Sequence, residues 1–137
     1  MSKESDKKVI LSGIIVSGAG QAAYFTGLDW VRQQCAEKLH FQPFPGTLNV
    51  QLDENCLALL ENLQKKPSID IVSPDPNFCN AKTLPASLQN LSVAIVMPDE
   101  AVNIHSPNII EIIAPVSLKE TLSLKDGAPV VVTVLES

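Results

Sequence analysis

The sequence predicts a mainly β fold, a small barrel or sandwich-like domain of six or seven short strands with two or three inserted helices. Short runs rich in Ile, Val and Leu recur along the chain, and turn residues separate them. Alternation of apolar and polar residues over Thr47–Leu52 is typical of a strand with one buried face. The 137 residues, 45% hydrophobic and 18% charged, suffice for one domain with a packed core, which we place at residues 9–137.

The first strand and the first helix follow a polar start. Residues 1–8 are mostly charged or hydroxyl-bearing, and we expect a frayed N-terminus there. Val9–Ser17 is rich in Ile and Val and predicts a strand, with Gly13 as the site of a bulge. Helical periodicity follows, with an apolar stripe of Leu28, Val31, Cys35 and Leu39.

The second strand leads into a second helix. In Thr47–Leu52, alternation places the three apolar side chains on one face and Thr47, Asn49 and Gln51 on the other. Asp53 is a favourable N-cap residue, and we expect its side chain to cap the helix that follows. The apolar stripe of that helix comprises Leu57, Leu60 and Leu63.

The second half of the chain predicts the remaining strands. Ser68–Val72 predicts a short strand. Thr83–Leu88 predicts a poor one, which Pro85 limits to a sheet edge because proline donates no ladder hydrogen bond. Three further apolar runs predict strands at Leu91–Met97, Ile109–Ile113 and Pro129–Leu135.

Two local motifs lie between the last two strands. Ser117 with Glu120 matches a capping box, which should open a short helix. Lys125-Asp126-Gly127 is typical of a turn. We therefore expect a helix and a tight turn immediately before the closing strand.

Composition excludes several classes of function. A net charge of −5 argues against a nucleic-acid partner, which requires a basic face. No apolar run reaches membrane-spanning length, so we expect no membrane partner either. Cys35, Cys56 and Cys79 are widely separated, without disulfide-like or zinc-like spacing. A reducing, cytoplasmic location is the expectation.

The first segment that could carry chemistry is the small-residue loop directly after the first strand. It consists of Gly18, Ala19, Gly20, Gln21, Ala22 and Ala23. Glycines allow close backbone approach to a ligand, and successive amides can cradle phosphate. The loop is neither a complete dinucleotide fingerprint nor a Walker loop, and a structural turn is the alternative interpretation.

Two strands supply the other candidates. The Thr47 hydroxyl and the Asn49 amide carbonyl are neutral oxygen ligands, which suit a hard cation such as magnesium. Glu111 interrupts the aliphatic strand Ile109–Ile113. Because burying an unpaired carboxylate is costly, its side chain should lie on a solvent-exposed face or point into a binding site. For both strands, an ordinary solvent-exposed face is the alternative.

Taken together and in order, these segments resemble the CTP-dependent riboflavin kinases known mainly from archaea. Within them, the strings Pro-Gly-Thr-Leu-Asn and Glu-Ile-Ile-Ala-Pro are quite specific in that order. The resemblance covers about Val9 to Leu135. It rests on Ser17–Phe25, Phe41–Asn49, His105–Pro115 and Leu124–Gly127.

The resemblance implies a six-stranded cradle-loop (RIFT-type) barrel that moves the γ-phosphate of CTP to the 5′-hydroxyl of riboflavin, giving FMN and CDP. It implies that Thr47 and Asn49 hold magnesium. It places Glu111 near the ribityl chain, where we expect this carboxylate to orient the hydroxyl; acceptance of its proton as a general base is the further role open to it. It places Asn103 at the flavin product. Nucleotide contacts are then made by Gly18, Ala19, Gly20, Gln21, Ala22, Ala23, Val116, Ser117, Leu118 and Lys119.

Four positions depart from the family pattern. Ala22 replaces the third glycine of the loop, and Lys119 replaces an arginine, which keeps the charge but loses the bidentate fork. Asn103 stands where a threonine is common, and Ala128 where an aspartate is expected. A non-catalytic flavin- or nucleotide-binding module on the same barrel is therefore one alternative, and a kinase of altered donor or acceptor is another. The sequence sets no oligomeric state, and a monomer is compatible with it.

Overall fold

The computed structural model describes residues 7–17, 26–74, 81–98 and 108–136, and seven β-strands dominate them. A short 3₁₀ turn, Glu54–Cys56, separates the second strand from the second helix. In chain order the elements are β1 (Lys7–Val16), α1 (Asp29–Lys38), β2 (Leu48–Leu52), α2 (Leu57–Gln64), β3 (Ile69–Ile71), β4 (Ala81–Leu88), β5 (Leu91–Pro98), β6 (Ile109–Ile113), α3 (Leu118–Thr121) and β7 (Pro129–Glu136).

Six of these strands close into an antiparallel barrel. Neighbouring strands pair in the order β4, β5, β6, β2, β1, β7, and β7 returns to β4 through two residue pairs, Ala86 with Val134 and Ser87 with Thr133. β3 lies outside this ring as an extra strand on β4. The predicted fold class, a mainly β six-stranded barrel with short helices, is confirmed.

The barrel interior is the main hydrophobic core. Strand residues alternate between the interior and the outer face, and Leu60 and Leu63 of α2 join the same cluster. Burying one such aliphatic side chain contributes about 1.5 to 3 kcal/mol. The most deeply buried strand residues in this core are Leu11, Ile15, Val50, Leu88, Ile95, Ile112 and Val132.

Helix α1 builds a second, smaller core on the outside of the barrel. Its buried Val31 and Cys35 pack in one cluster with Ala94 of β5 and Ile113 of β6. Burial raises the pKa of the Cys35 thiol to about 11, so this group stays protonated at neutral pH. The predicted apolar stripe of this helix is therefore its packing face.

β1 departs from the prediction at its start and at Gly13. The strand begins at Lys7, so Lys7 and Lys8 pair with β7 and do not belong to a frayed end. No bulge interrupts it, because Gly13 pairs in register with both neighbouring strands. Glycine is needed for a different reason: a Cβ at this position would lie 2.2 Å from the carbonyl oxygen of Gln51.

The prediction that Pro85 limits its strand to a sheet edge is wrong. β4 pairs with β5 along its whole length. On its other side, β3 pairs as far as Thr83 and β7 begins at Ala86. Pro85 lies in the gap between these two partners, where its missing N–H costs no hydrogen bond on that side.

The two predicted helix caps have different outcomes. The Asp53 carboxylate accepts a hydrogen bond from Ser12 Oγ at 2.7 Å and makes no cap contact, so that prediction is wrong. Ser117 Oγ accepts from the backbone N–H of Glu120 at 3.3 Å, which confirms the cap at the start of α3. Among the described residues, none of the helices has the length and apolar character needed to cross a bilayer.

We expect Gly13→Ala to destabilise the barrel by about 3 kcal/mol, because the added methyl group meets the backbone of β2, which cannot move without breaking the pairing. The midpoint of urea denaturation measures this loss. Gly27→Ala is the matched control, since a Cβ there meets nothing within 4 Å. Equal stability of the two variants would contradict the close approach.

Candidate functional site

Three oxygen-bearing side chains meet on the outer face of β2 and β6. The register pairs Asn49 of β2 with Glu111 of β6. Thr47, immediately before β2, places its Oγ1 3.1 Å from Glu111 Oε1 and 3.3 Å from Asn49 Oδ1. All three residues are half-buried. The predicted cation pair and the predicted glutamate are therefore neighbours, although 64 residues separate Thr47 from Glu111.

The alternation predicted for β2 creates this cluster. Leu48, Val50 and Leu52 are buried in the barrel core, so the residues between them face outward. Gln51 continues the outer face but is exposed and pairs with Ile109, an apolar residue. The cluster is thus confined to the start of β2.

A tight turn before β2 positions Thr47. Gly46 has a φ of +103°, a left-handed conformation that favours glycine. Its N–H donates to Thr26 Oγ1 at 2.8 Å, and Thr26 is only 1% exposed. The N–H of Phe44 donates to the carbonyl of Ala114 at 2.7 Å. The sequence reasoning missed Thr26, since nothing local marks a threonine 20 residues before the turn it supports.

A cleft of about 190 Å³ opens beside Thr47, at the end of the barrel where β2 begins and β6 ends. One wall is the turn Phe44–Leu48, and the other is the segment after β6, with Val116, Ser117, Leu118 and Lys119. The Phe44 ring is 45% exposed and the Val116 side chain 37% exposed, so the cleft has apolar walls. Lys119 is the cation among its lining residues.

A carboxylate connects Lys119 to the end of β1. Lys119 Nζ lies 3.0 Å from Asp126 Oδ1, and Ser17 Oγ donates to Asp126 Oδ2 at 2.5 Å. The Ser17 hydrogen bond and, next, the Lys119 contact hold the pKa of Asp126 below its usual value. Asp126 was predicted as part of a turn and of the segment Leu124–Gly127 that contributes to the family resemblance, with no role assigned to its side chain.

The oxygen cluster fits a weakly held hard cation. Thr47 can donate its single proton to Glu111 or Asn49, which leaves the hydroxyl lone pairs available to a metal. Among the described residues, no group of three or more His, Cys, Asp or Glu could hold a metal ion. A cation at Thr47 and Asn49 would therefore need water or phosphate oxygens to complete its coordination.

Several predicted contacts lie outside the described residues. They are the loop residues Gly18, Ala19, Gly20, Gln21, Ala22 and Ala23, and the flavin-side Asn103. Val16, two residues before that loop, pairs with Asn49 across β1 and β2. The chain therefore leaves β1 beside the oxygen cluster.

Fold and site together define a class of protein: a small closed antiparallel β-barrel whose cleft, with one lysine, adjoins a cluster of hydroxyl, amide and carboxylate oxygens. Comparison with known proteins narrows this class to one family. The family model CTP-dep_RFKase, described as domain of unknown function DUF120, matches residues 15–134. The chain belongs to this family.

Curated relatives named riboflavin kinase agree with this assignment. The one from Methanosarcina mazei is 42% identical over 125 residues, which cover 88% of this chain and 54% of that protein. The one from Pyrobaculum aerophilum is 39% identical over 132 residues, covering 91% and 60%. The one from Ignicoccus hospitalis is 39% identical over 131 residues, covering 93% and 72%. The chain thus spans about half the length of the Methanosarcina mazei protein.

Thr26→Val should destabilise the protein by about 1 to 2 kcal/mol, because it keeps the side-chain shape but removes the acceptor for the Gly46 N–H. Thermal unfolding monitored by circular dichroism measures the loss. The exposed Thr121→Val is the control, and should change stability by no more than about 0.5 kcal/mol. If the Thr26 variant were as stable as the control, this hydrogen bond would not hold the turn.

Proposed function

We propose that this chain is a CTP-dependent riboflavin kinase domain, which transfers the γ-phosphate of CTP to the 5′-hydroxyl of riboflavin with the help of magnesium. The observation that carries the proposal is the place of Thr47, which lines the cleft beside Val116–Lys119 and also lies 3.1 Å from Glu111. A transfer between two substrates needs donor and acceptor sites that meet at one point. The names of the family and of its riboflavin kinase relatives support the identity of both substrates.

The cleft is the proposed nucleotide site. Phosphoryl transfer depends mainly on positioning and on neutralising the phosphate oxygens. Lys119 provides a positive charge in the cleft, and the amides of Gly18–Ala23 are expected to add hydrogen-bond donors. The exposed Phe44 and Val116 give the cleft apolar area that a base or ribose can cover.

The oxygen cluster is the proposed cation site and the junction between the substrates. Thr47 and Asn49 would hold magnesium through neutral oxygens, so the ion would keep its full charge for the triphosphate. When bound, the ion supplies charge neutralisation to the phosphate oxygens. Glu111 holds the Thr47 hydroxyl, and this contact orients the oxygen that would face the cation.

Glu111 is the proposed acceptor-side residue. Its Oε1 is occupied by the Thr47 hydroxyl, so Oε2 is the oxygen that would accept a hydrogen bond from the riboflavin 5′-hydroxyl. In that position the carboxylate would orient the hydroxyl for in-line attack and take its proton as the new bond to the γ-phosphorus forms, while the bond from the γ-phosphorus to the β–γ bridging oxygen breaks and CDP leaves. Asn103 is the proposed second flavin contact.

The first test is FMN formation from riboflavin, with CTP, ATP, GTP and UTP in parallel, with magnesium and with a chelator. We expect product only with CTP and magnesium. Asn49→Ala should reduce turnover by about 100-fold or more, because it removes one of two protein ligands to the cation.

Gln51→Ala is the matched control for this substitution. It lies two residues further along β2 on the same outer face, but its side chain is exposed and outside the oxygen cluster. It should retain wild-type turnover. No FMN with any nucleotide from folded protein would refute the kinase and favour the non-catalytic binding module, whereas product with another nucleotide would refute CTP as the donor.

Glu111→Gln separates proton transfer from orientation. The amide keeps the size of the side chain and can still hydrogen-bond, but it cannot accept a proton. We expect kcat to fall about 100-fold with little change in the KM for riboflavin, as loss of a general base predicts. Near-normal kcat with a raised riboflavin KM would limit Glu111 to orientation.

A further inference from the structure

We infer that Asp126 is a positioning residue for nucleotide binding, which holds Lys119 in the cleft and also holds Ser17 at the end of β1. The inference rests on the proposed role of the cleft as the nucleotide site. Asp126 itself is not among the residues that line the cleft. Its effect on the nucleotide would therefore pass through its two side-chain partners.

The carboxylate uses its two oxygens for two distant segments of the chain. Oδ1 contacts Lys119 Nζ at 3.0 Å, seven residues earlier in the sequence. Oδ2 accepts from Ser17 Oγ at 2.5 Å, across 109 residues. Ser17 immediately precedes Gly18–Ala23, the first segment proposed to contact the nucleotide. Lys119 is the last residue of Val116–Lys119, the second such segment. One side chain thus joins both segments that are expected to contact CTP.

The backbone around Asp126 is anchored to the barrel. The N–H of Gly127 donates to the carbonyl of Ile15 at 2.7 Å, and the N–H of Ile15 donates to the carbonyl of Ala128 at 2.9 Å. Gly127 has a φ of +88°, which the tight turn requires. Asp126 therefore extends from a rigid turn paired with β1, while Lys119 is a long flexible side chain. The anchored Asp126 therefore orients the Lys119 side chain, and not the reverse.

A contribution to folding stability does not explain the presence of the ion pair between Lys119 and Asp126. The side chains of Lys119 and Asp126 are 47% and 50% exposed, and ion pairs at such exposure contribute little to folding. Asp126 is ionised at neutral pH, as any exposed aspartate is, and the hydrogen bond from Ser17 stabilises the charged form further by lowering the pKa of the carboxyl group. A charged, anchored acceptor beside the single cation of the cleft is suited to orienting that cation.

The pairing leaves Lys119 able to bind an anion. A lysine ammonium has three N–H donors, and Asp126 Oδ1 engages one of them. The other two remain for phosphate oxygens on the cleft side. An unrestrained lysine would have to be ordered when the nucleotide binds, and this ordering cost weakens binding. Asp126 reduces that cost before the nucleotide arrives.

The test is a double-mutant cycle on CTP binding. Dissociation constants for CTP in the presence of magnesium are measured by isothermal titration calorimetry for wild type, Asp126→Asn, Lys119→Met and the double variant. The asparagine keeps an acceptor for Ser17 but removes the ion pair. We expect Asp126→Asn to weaken CTP binding about tenfold in the wild-type background and by less than about twofold when Lys119 is already methionine.

Two further measurements exclude a merely structural effect. Asp126→Asn should raise the KM for CTP without changing the KM for riboflavin or the kcat at saturating CTP. Its melting temperature should stay within about 2 °C of wild type, because the pair is exposed. Glu61→Gln on α2 is the matched control, since it removes the same charge from an exposed site that does not line the cleft. Its CTP binding should equal that of wild type.

The outcomes for the two proposals can be told apart. Unchanged or tighter CTP binding by Asp126→Asn, with normal FMN formation by wild type, would overturn the positioning role and leave the kinase intact. Equal weakening in both lysine backgrounds would overturn action through Lys119. CTP binding that depends on Asp126 in a protein that forms no FMN would support the positioning role and refute the kinase. A wild-type protein that binds no CTP would overturn both.

Discussion

β2 and β6 pair in a register that sets Leu48 against Ile112 and Val50 against Ile110, all four inside the barrel core. Because successive strand residues point to opposite faces, the same register brings Asn49 beside Glu111 on the outside. A slip of one residue would expose the aliphatic side chains and bury an amide and a carboxylate. Hydrophobic burial therefore enforces the geometry of the polar cluster.

The cleft depends on backbone contacts between segments that are distant in the sequence. Hydrogen bonds from Phe44 to Ala114 and from Gly46 to Thr26 hold one wall. The N–H of Gly127 donates a hydrogen bond to the carbonyl of Ile15, so the turn that contains Asp126 is fixed to β1. Such main-chain hydrogen bonds fix positions more firmly than contacts between flexible surface side chains. They place Asp126 within reach of the flexible side chain of Lys119.

Two of the departures from the family pattern are compatible with a working site. Lys119 retains the charge of the arginine it replaces and lies in the cleft, paired with Asp126. Ala128 makes two backbone hydrogen bonds. Its carbonyl accepts from the N–H of Ile15, and its N–H donates to the carbonyl of Lys125 at 3.0 Å. Both contacts are independent of the Ala128 side chain. The lysine thus keeps a positive charge in the cleft, and the alanine leaves the backbone contacts of the turn in place.

Local periodicity in the sequence determined most of the strands, a mainly β fold and the alternating faces of β2, and the resemblance to the riboflavin kinase family supplied the six-stranded barrel. The sequence motifs also pointed to Thr47, Asn49 and Glu111. Only the tertiary structure decided which residues meet. Pro85 lies within a paired strand because two partners leave a gap beside it, Gly13 is needed for the approach of β2, and Asp126 reaches both Ser17 and Lys119. These contacts join residues far apart along the chain, which local patterns do not encode.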